Sequence, residues 1–314
     1  MVVTSAPGKL MFFGEHAAVY GVPCISLAIN QRMYCRVDKR LDKKIIFNFP
    51  DQGIRDYEYR LDSDDRRICF VAQAIKNTLG DPFSKGGFEI ETRSEMKKGA
   101  GTSSACVVAV MAALNEEFKL GLTKEQMFNI GYKTVLDIQG KGSGYDIATS
   151  LHGGLIKYIK GQIPRVIDCP QDLCLIMGHT NIKADTVELI EKVAKKKEKY
   201  PHFFNEVLWL TKKCVDEAEF SIEKGDLEGI ADIMNFTHGI LNGMGVSHPK
   251  LEELIFASRS AGALGAKLSG AGGGDCMIAL VTPEHKKSVV SAIKEHGGFP
   301  LEIEISEGVR LENG

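Results

Sequence analysis

The stretch Lys97-Lys98-Gly99-Ala100-Gly101-Thr102-Ser103-Ser104-Ala105 combines glycines with hydroxyls, and the apolar run Cys106-Val107-Val108-Ala109-Val110-Met111 follows at once. Glycine frees a backbone to turn its N–H groups inward, and a helix opening behind it presents the positive end of its dipole. That order of residue types suits a phosphate. It is not a Walker loop, because no Lys-Ser/Thr pair follows the last glycine. Taken alone, an ordinary turn with a Thr or Ser cap is the plainer reading.

Three further groupings could do chemistry. Gly140-Lys141-Gly142-Ser143-Gly144-Tyr145-Asp146 sets a carboxylate just past a glycine-dense turn. Such a group serves as a general base or an electrostatic anchor, although a helix N-cap is its commoner role. Gly270-Ala271-Gly272-Gly273-Gly274-Asp275 lets a backbone approach a ligand closely, at an entropic cost that a mere connector would avoid. Gly14-Glu15-His16 places two ionisable residues at a strand end, bracketed by Gly14 and Gly21. Lys9 lies on the strand before them, on the face shared with Phe13.

The elements that must hold these groups follow from periodicity. Residues 2–6 and 9–13 read as strand, broken by Pro7-Gly8, and residues 28–61 alternate as antiparallel strands with one wet face. Asp64 to Leu79 carries helical spacing through Ile68, Val71, Ala72 and Ile75, and residues 87–92 form another strand. Helices are expected at 103–118 and at 123–139, the second capped by Thr123 with Gln126 three residues on. Strands follow at 155–160 and 173–179, then helices at 184–198, 202–224, 226–242 and 249–262. A strand at 276–281, a helix at 284–296 and a strand at 301–305 close the chain. Trp209 reads as core, and the basic run 192–199 as a solvated helix face.

With 314 residues the chain is long enough for two domains of about 150 residues each. The division expected is 1–165 and 166–314. At 44% hydrophobic, 25% charged and net charge −2, it is an ordinary globular chain with no basic groove for nucleic acid and no face for an anionic membrane. The eight cysteines are scattered in apolar contexts without a C-x-x-C pair, which reads as buried thiols in a reducing cytoplasm. The N-terminus lacks the basic head and apolar core of a signal peptide, and no run reaches the roughly 18 residues of a membrane span.

Together, Pro7-Gly8-Lys9 with Gly14-Glu15-His16, the loop at 99–105, Asp146 and the run at 270–274 resemble the GHMP small-molecule kinase superfamily. Its members include galactokinase, homoserine kinase, mevalonate kinase and phosphomevalonate kinase, and the resemblance covers nearly the whole chain in order and spacing. It implies an α+β fold of two domains, an N-terminal ATP-binding one and a C-terminal one, with the active site in the interdomain cleft. It implies ATP as donor, with Mg²⁺. Lys9 and Asp146 would be the catalytic pair, and Gly99, Ala100, Gly101, Thr102, Ser103 and Ser104 would cradle the phosphates, with Ser103 also contacting the metal. Glu15, His16, Gly270, Ala271 and Gly272 would bind the acceptor.

Within the superfamily, Gly8-Lys9-Leu10-Met11-Phe12-Phe13-Gly14-Glu15-His16-Ala17-Ala18-Val19-Tyr20-Gly21 looks like the mevalonate kinase branch. Gly142–Ala148 and the tail Glu307–Glu312 are similar to phosphomevalonate kinases. Mevalonate kinases place a metal-binding Glu where this chain has Val135, so Asp137 or water would have to substitute. The implied reaction is phosphorylation of the 5-hydroxyl of mevalonate or of a phosphorylated mevalonate, as in mevalonate 3-phosphate 5-kinases, within isoprenoid biosynthesis. Phosphomevalonate kinase activity and a non-catalytic metabolite sensor are the alternatives. A sister decarboxylase would need a different head motif. The expected partner is a small molecule, with neither nucleic acid nor membrane, and a homodimer is compatible with the reading.

Overall fold

A computed structural model describes residues 1–63, 65–96 and 101–312. In chain order come β1 (Val2–Phe13), β2 (Cys24–Arg40), β3 (Ile45–Phe49), β4 (Ile54–Glu58), α1 (Cys69–Leu79), β5 (Gly87–Ser94), α2 (Thr102–Phe118), α3 (Lys124–Gln139) and α4 (Tyr145–His152). Then follow β6 (Leu155–Tyr158), β7 (Arg165–Ile167), β8 (Cys174–His179), α5 (Thr186–Lys199), α6 (Pro201–Lys224), α7 (Leu227–Gly243) and α8 (Pro249–Ser260). Next are β9 (Gly265–Ser269), β10 (Cys276–Val281), α9 (Lys286–Glu295), β11 (Phe299–Ile303) and β12 (Arg310–Leu311).

The chain divides into two compact units that are not contiguous in sequence: Met1–Lys9, Ala28–Gly153 and Ser306–Gly314 in one, Leu10–Leu27 and Gly154–Ile305 in the other. The contiguous split expected at 165/166 therefore differs from the observed one. β1 and β2 each run through the division, and the tail returns to pair with β1, Thr4 opposite Leu311.

In the first unit the strand order is β12-β1-β2-β5-β3-β4, with β2 and β5 antiparallel from Met33↔Ser94 to Arg40↔Gly87 and β3 parallel to β5. α2 packs on α1, α3 and α4. Its residues Ser104–Leu114 are all buried, as a helix apolar on every side requires. Pro7-Gly8 does not break β1. The Pro7 carbonyl instead accepts from Ser150 Oγ of α4 at 2.9 Å.

In the second unit β6 pairs with Cys24–Leu27 of β2 and with β7, and an antiparallel sheet runs β11-β8-β10-β9 under α5–α9. Trp209 is 57% exposed rather than core. The buried stripe of α6 runs through Phe204, Thr211, Cys214, Val215, Ala218 and Ile222, which leaves Trp209 on the wet side under Lys213. Cys169 is also exposed, and Cys69 and Cys174 are half-buried, so the cysteines are not uniformly core.

Candidate active site

The first unit gathers one group of the residues singled out from sequence. α2 opens at Gly101, whose φ of +82° ends the loop in the left-handed region that glycine tolerates. The intrahelical ladder starts with Ala105 N–H to the Gly101 carbonyl, so the amides of Thr102, Ser103 and Ser104 lie ahead of it. No side chain of the cap residue bonds this end, and none of the helix's own first-turn residues is acidic. Gly99 and Ala100 lie outside the described residues.

Lys9 reaches this end of α2 from β1. A Cβ on Gly101 would sit 2.8 Å from Lys9 Cγ, so the glycine is what lets the lysine pass. Lys9 Nζ donates to Tyr145 Oη at 2.8 Å and lies 5.0 Å from the ring centre. Asp146 is the next residue. It is not the helix cap, because Gly144 at φ +91° takes that position and Asp146 sits in the first turn of α4. Its Oδ2 accepts from the buried Ser104 Oγ at 2.5 Å, which ties α4 to the first turn of α2. The arrangement thus holds an ammonium, a half-buried carboxylate and the helix-terminal amides ahead of the ladder in one place. Ser103 is half-buried in the same turn.

The second group lies in the other unit. Glu15 is 1% exposed, and its Oε1 accepts from Lys267 Nζ, which also donates to the Leu268 carbonyl at 2.8 Å. Glu15 Oε2 is buried without a partner among the described residues. Burial pushes the Glu15 carboxyl up and the Lys267 ammonium down, and their mutual attraction opposes both shifts. One carboxylate oxygen of Glu15 is therefore committed to an internal ion pair. His16, at φ +60°, presents Nε2 to the Ala271 carbonyl at 2.8 Å, and burial lowers its pKa.

The glycine run is largely a packing device. A Cβ on Gly272 would sit 2.1 Å from the Val246 carbonyl oxygen, one on Gly273 2.8 Å from Leu189, and one on Gly274 2.6 Å from the Ile182 carbonyl. Gly270 alone of the four faces open space among the described residues.

Two side chains that contact the expected site residues escaped the sequence reading. Tyr145 carries no mark beyond its place before Asp146. Lys267 stands between Ala266 and Leu268, and a charge inside an apolar strand was the available sign of a buried partner. Asp137, named as a stand-in metal ligand, is held by Lys133 (2.5 Å), Asn77 (2.9 Å) and Gln73 (2.8 Å) on α1 and α3. Val135 is buried. Among the described residues no cluster of three or more His, Cys, Asp or Glu side chains could cage a metal.

Residues 66–154 match the family model described as GHMP kinases N terminal domain, and residues 219–298 match GHMP kinases C terminal. A mevalonate kinase of Pyrococcus abyssi is 36% identical over 334 residues, covering 99% of this chain and 98% of that one. Among solved structures, the Methanococcus jannaschii mevalonate kinase matches with a TM-score of 0.83 at 26% identity, over 99% of this chain and 98% of that one. L. major mevalonate kinase in complex with R-mevalonate matches at 0.80 and 25%, over 96% and 95%.

Proposed function

The chain belongs to the GHMP kinase family, as an ATP-dependent kinase of an alcohol with mevalonate kinase-type activity, and from that premise we propose that it moves the γ-phosphoryl group of ATP to the 5-hydroxyl of mevalonate. The observation that carries the residue assignment is the convergence of Lys9 and Asp146 on the uncapped end of α2, through Lys9–Tyr145 and Asp146–Ser104.

In this reading the amides ahead of the α2 ladder and the hydroxyls of Thr102 and Ser103 hold the donor's phosphates. Asp146 takes the proton of the attacking hydroxyl, while Ser104 fixes the rotamer of its carboxylate. Lys9 lowers the acceptor's pKa and offsets the charge that builds between acceptor and γ-phosphate. Tyr145 aims that ammonium. Positioning and charge neutralisation of this kind are most of what phosphoryl transfer asks of a protein.

Mg²⁺ commonly binds through one or two protein ligands plus the nucleotide's own phosphates, a demand that the Ser103 hydroxyl fits and the occupied Asp137 does not. Bound there, it would neutralise phosphate charge. His16 and the open edge at Gly270 and Ala271 are the acceptor-facing candidates. Glu15, paired to Lys267 through one carboxylate oxygen, is the buried candidate beside His16 in the chain.

The head motif favours free mevalonate, and the phosphomevalonate-like turn at Gly142–Ala148 and tail at Glu307–Glu312 favour an acceptor already phosphorylated. Coupled assays with mevalonate, mevalonate 3-phosphate and mevalonate 5-phosphate test the assignment. Turnover is expected on mevalonate. Turnover on a phosphorylated form alone would move the acceptor, and none on any of the three would overturn the reading in favour of a sensor.

A further inference from the structure

Arg32 on β2 is 4% exposed, and a buried guanidinium must satisfy five N–H donors. Nε donates to Ser5 Oγ (2.6 Å), Nη1 to Ser306 Oγ (2.7 Å) and the Glu307 carbonyl (3.0 Å), and Nη2 to the carbonyls of Ser5 (3.0 Å) and Gly308 (2.8 Å). All five acceptors are neutral oxygens, drawn from β1 and from the tail. Ser5 Oγ passes the chain on to Glu312, which also accepts from Arg310 Nε at 2.9 Å. Residues 306–312 are thereby laced onto β1, the strand that carries Lys9.

The same segment lies against the C-terminal end of α4. Gly153 bridges to Glu307. A Cβ on Gly308 would sit 2.3 Å from the Leu151 carbonyl oxygen, and one on Gly153 1.9 Å from the Gly308 nitrogen, so backbone rests directly on backbone. α4 has eight residues and is about 12 Å long, with Tyr145 and Asp146 at its other end. One strap therefore grips both the strand bearing Lys9 and the helix bearing Asp146.

We infer that Arg32, acting through the strap 306–312, is a positioning residue for phosphoryl transfer: it fixes β1 against α4, and so Lys9 against Asp146, while touching neither reactant. The inference rests on the roles of Lys9 and Asp146 proposed above. Lysine does not substitute, because one ammonium cannot serve oxygens spread over Ser5, Ser306, Glu307 and Gly308.

The test compares wild type with Arg32→Met, Arg32→Lys and Gly308→Ala, in steady-state assays with ATP and mevalonate and by hydrogen exchange of the α4 amides. Arg32→Met should lower kcat by roughly 10- to 100-fold, the scale of a small misplacement at the reacting centre, with the KM for ATP little changed. Arg32→Lys should rescue little. Gly308→Ala keeps Arg32 but lifts the strap from α4, so it should lower kcat in the same way, and it carries the test if Arg32→Met does not fold. Exchange at Ala148–Leu151 should quicken in every variant. Folded variants with wild-type kcat, or a rise in KM with kcat intact, would overturn the inference. A wild type inactive on every acceptor would count against the kinase assignment instead, and unchanged α4 protection in Gly308→Ala would then overturn the strap by itself.

Discussion

At the scale of single residues, the buried charges set the consequences. Glu15 and Lys267 are both 0% exposed in their side chains and joined to each other. Removing one partner strands the other in a dry interior. Lys267→Met or Glu15→Gln should therefore destabilise by about 3–5 kcal/mol in urea unfolding, and the double variant should lose less than the sum of the two. Additive losses would mean the pair is not coupled. His16 carries the clearest pH dependence. Burial holds its pKa below the ordinary 6.5, so the folded protein binds that proton less readily than the unfolded chain. Its share of stability is complete above that value and declines as pH drops through and below it. Melting between pH 7.5 and 5.5 should show a decline that shrinks in His16→Gln, and an identical decline in both proteins would exclude His16 as the source. The residue types of the candidate site were readable because chemistry is local: Lys9, Asp146 and the Thr-Ser-Ser run stand out by type, and the first unit brings them together. Their partners were not readable. Nothing in the composition says that Ser104 turns to Asp146 or that Lys267 finds Glu15 some 252 positions away.

At the scale of elements, periodicity and caps carried furthest. Thr123 and Gln126 form the reciprocal capping box that their spacing implies, with the Thr123 amide 2.8 Å from Gln126 Oε1. Thr123→Ala should lower stability by about 1 kcal/mol, read as a shift in urea midpoint without a change in slope. No shift would show the cap to be idle. The sequence reading went astray where backbone conformation outweighs residue type. Asp146 looks like a cap, yet Gly144 holds that place because its φ of +91° is one that aspartate adopts only under strain. Pro7 looks like a strand break, yet its missing N–H is tolerated while its carbonyl is used by Ser150. In the glycine run, a second demand acts beside any ligand: three of its glycines are required by close approach to the protein's own chain at Val246, Leu189 and Ile182.

At the scale of the whole molecule, the non-contiguous division into units was out of reach of a linear reading, because it depends on two strands that pass through it and on a tail that returns to β1. Among the described residues no helix is long and apolar enough to cross a membrane. On the proposed reading, a nucleotide held by these amides and hydroxyls binds only the folded protein. A non-hydrolysable ATP analogue at 100 times its Kd should then add about 2.7 kcal/mol of stability. The same gain should survive in Asp146→Asn, since the carboxylate is assigned to the acceptor's proton; an unchanged melting temperature in wild type would leave the phosphate cradle unsupported. The most direct measurement of the central claim is the turnover of Asp146→Asn with ATP and mevalonate beside wild type, taken with each protein's affinity for the ATP analogue. The account predicts analogue binding close to wild type and a kcat reduced by about 10²- to 10⁴-fold, the range of a lost general base. A variant that turns over at the wild-type rate would contradict it.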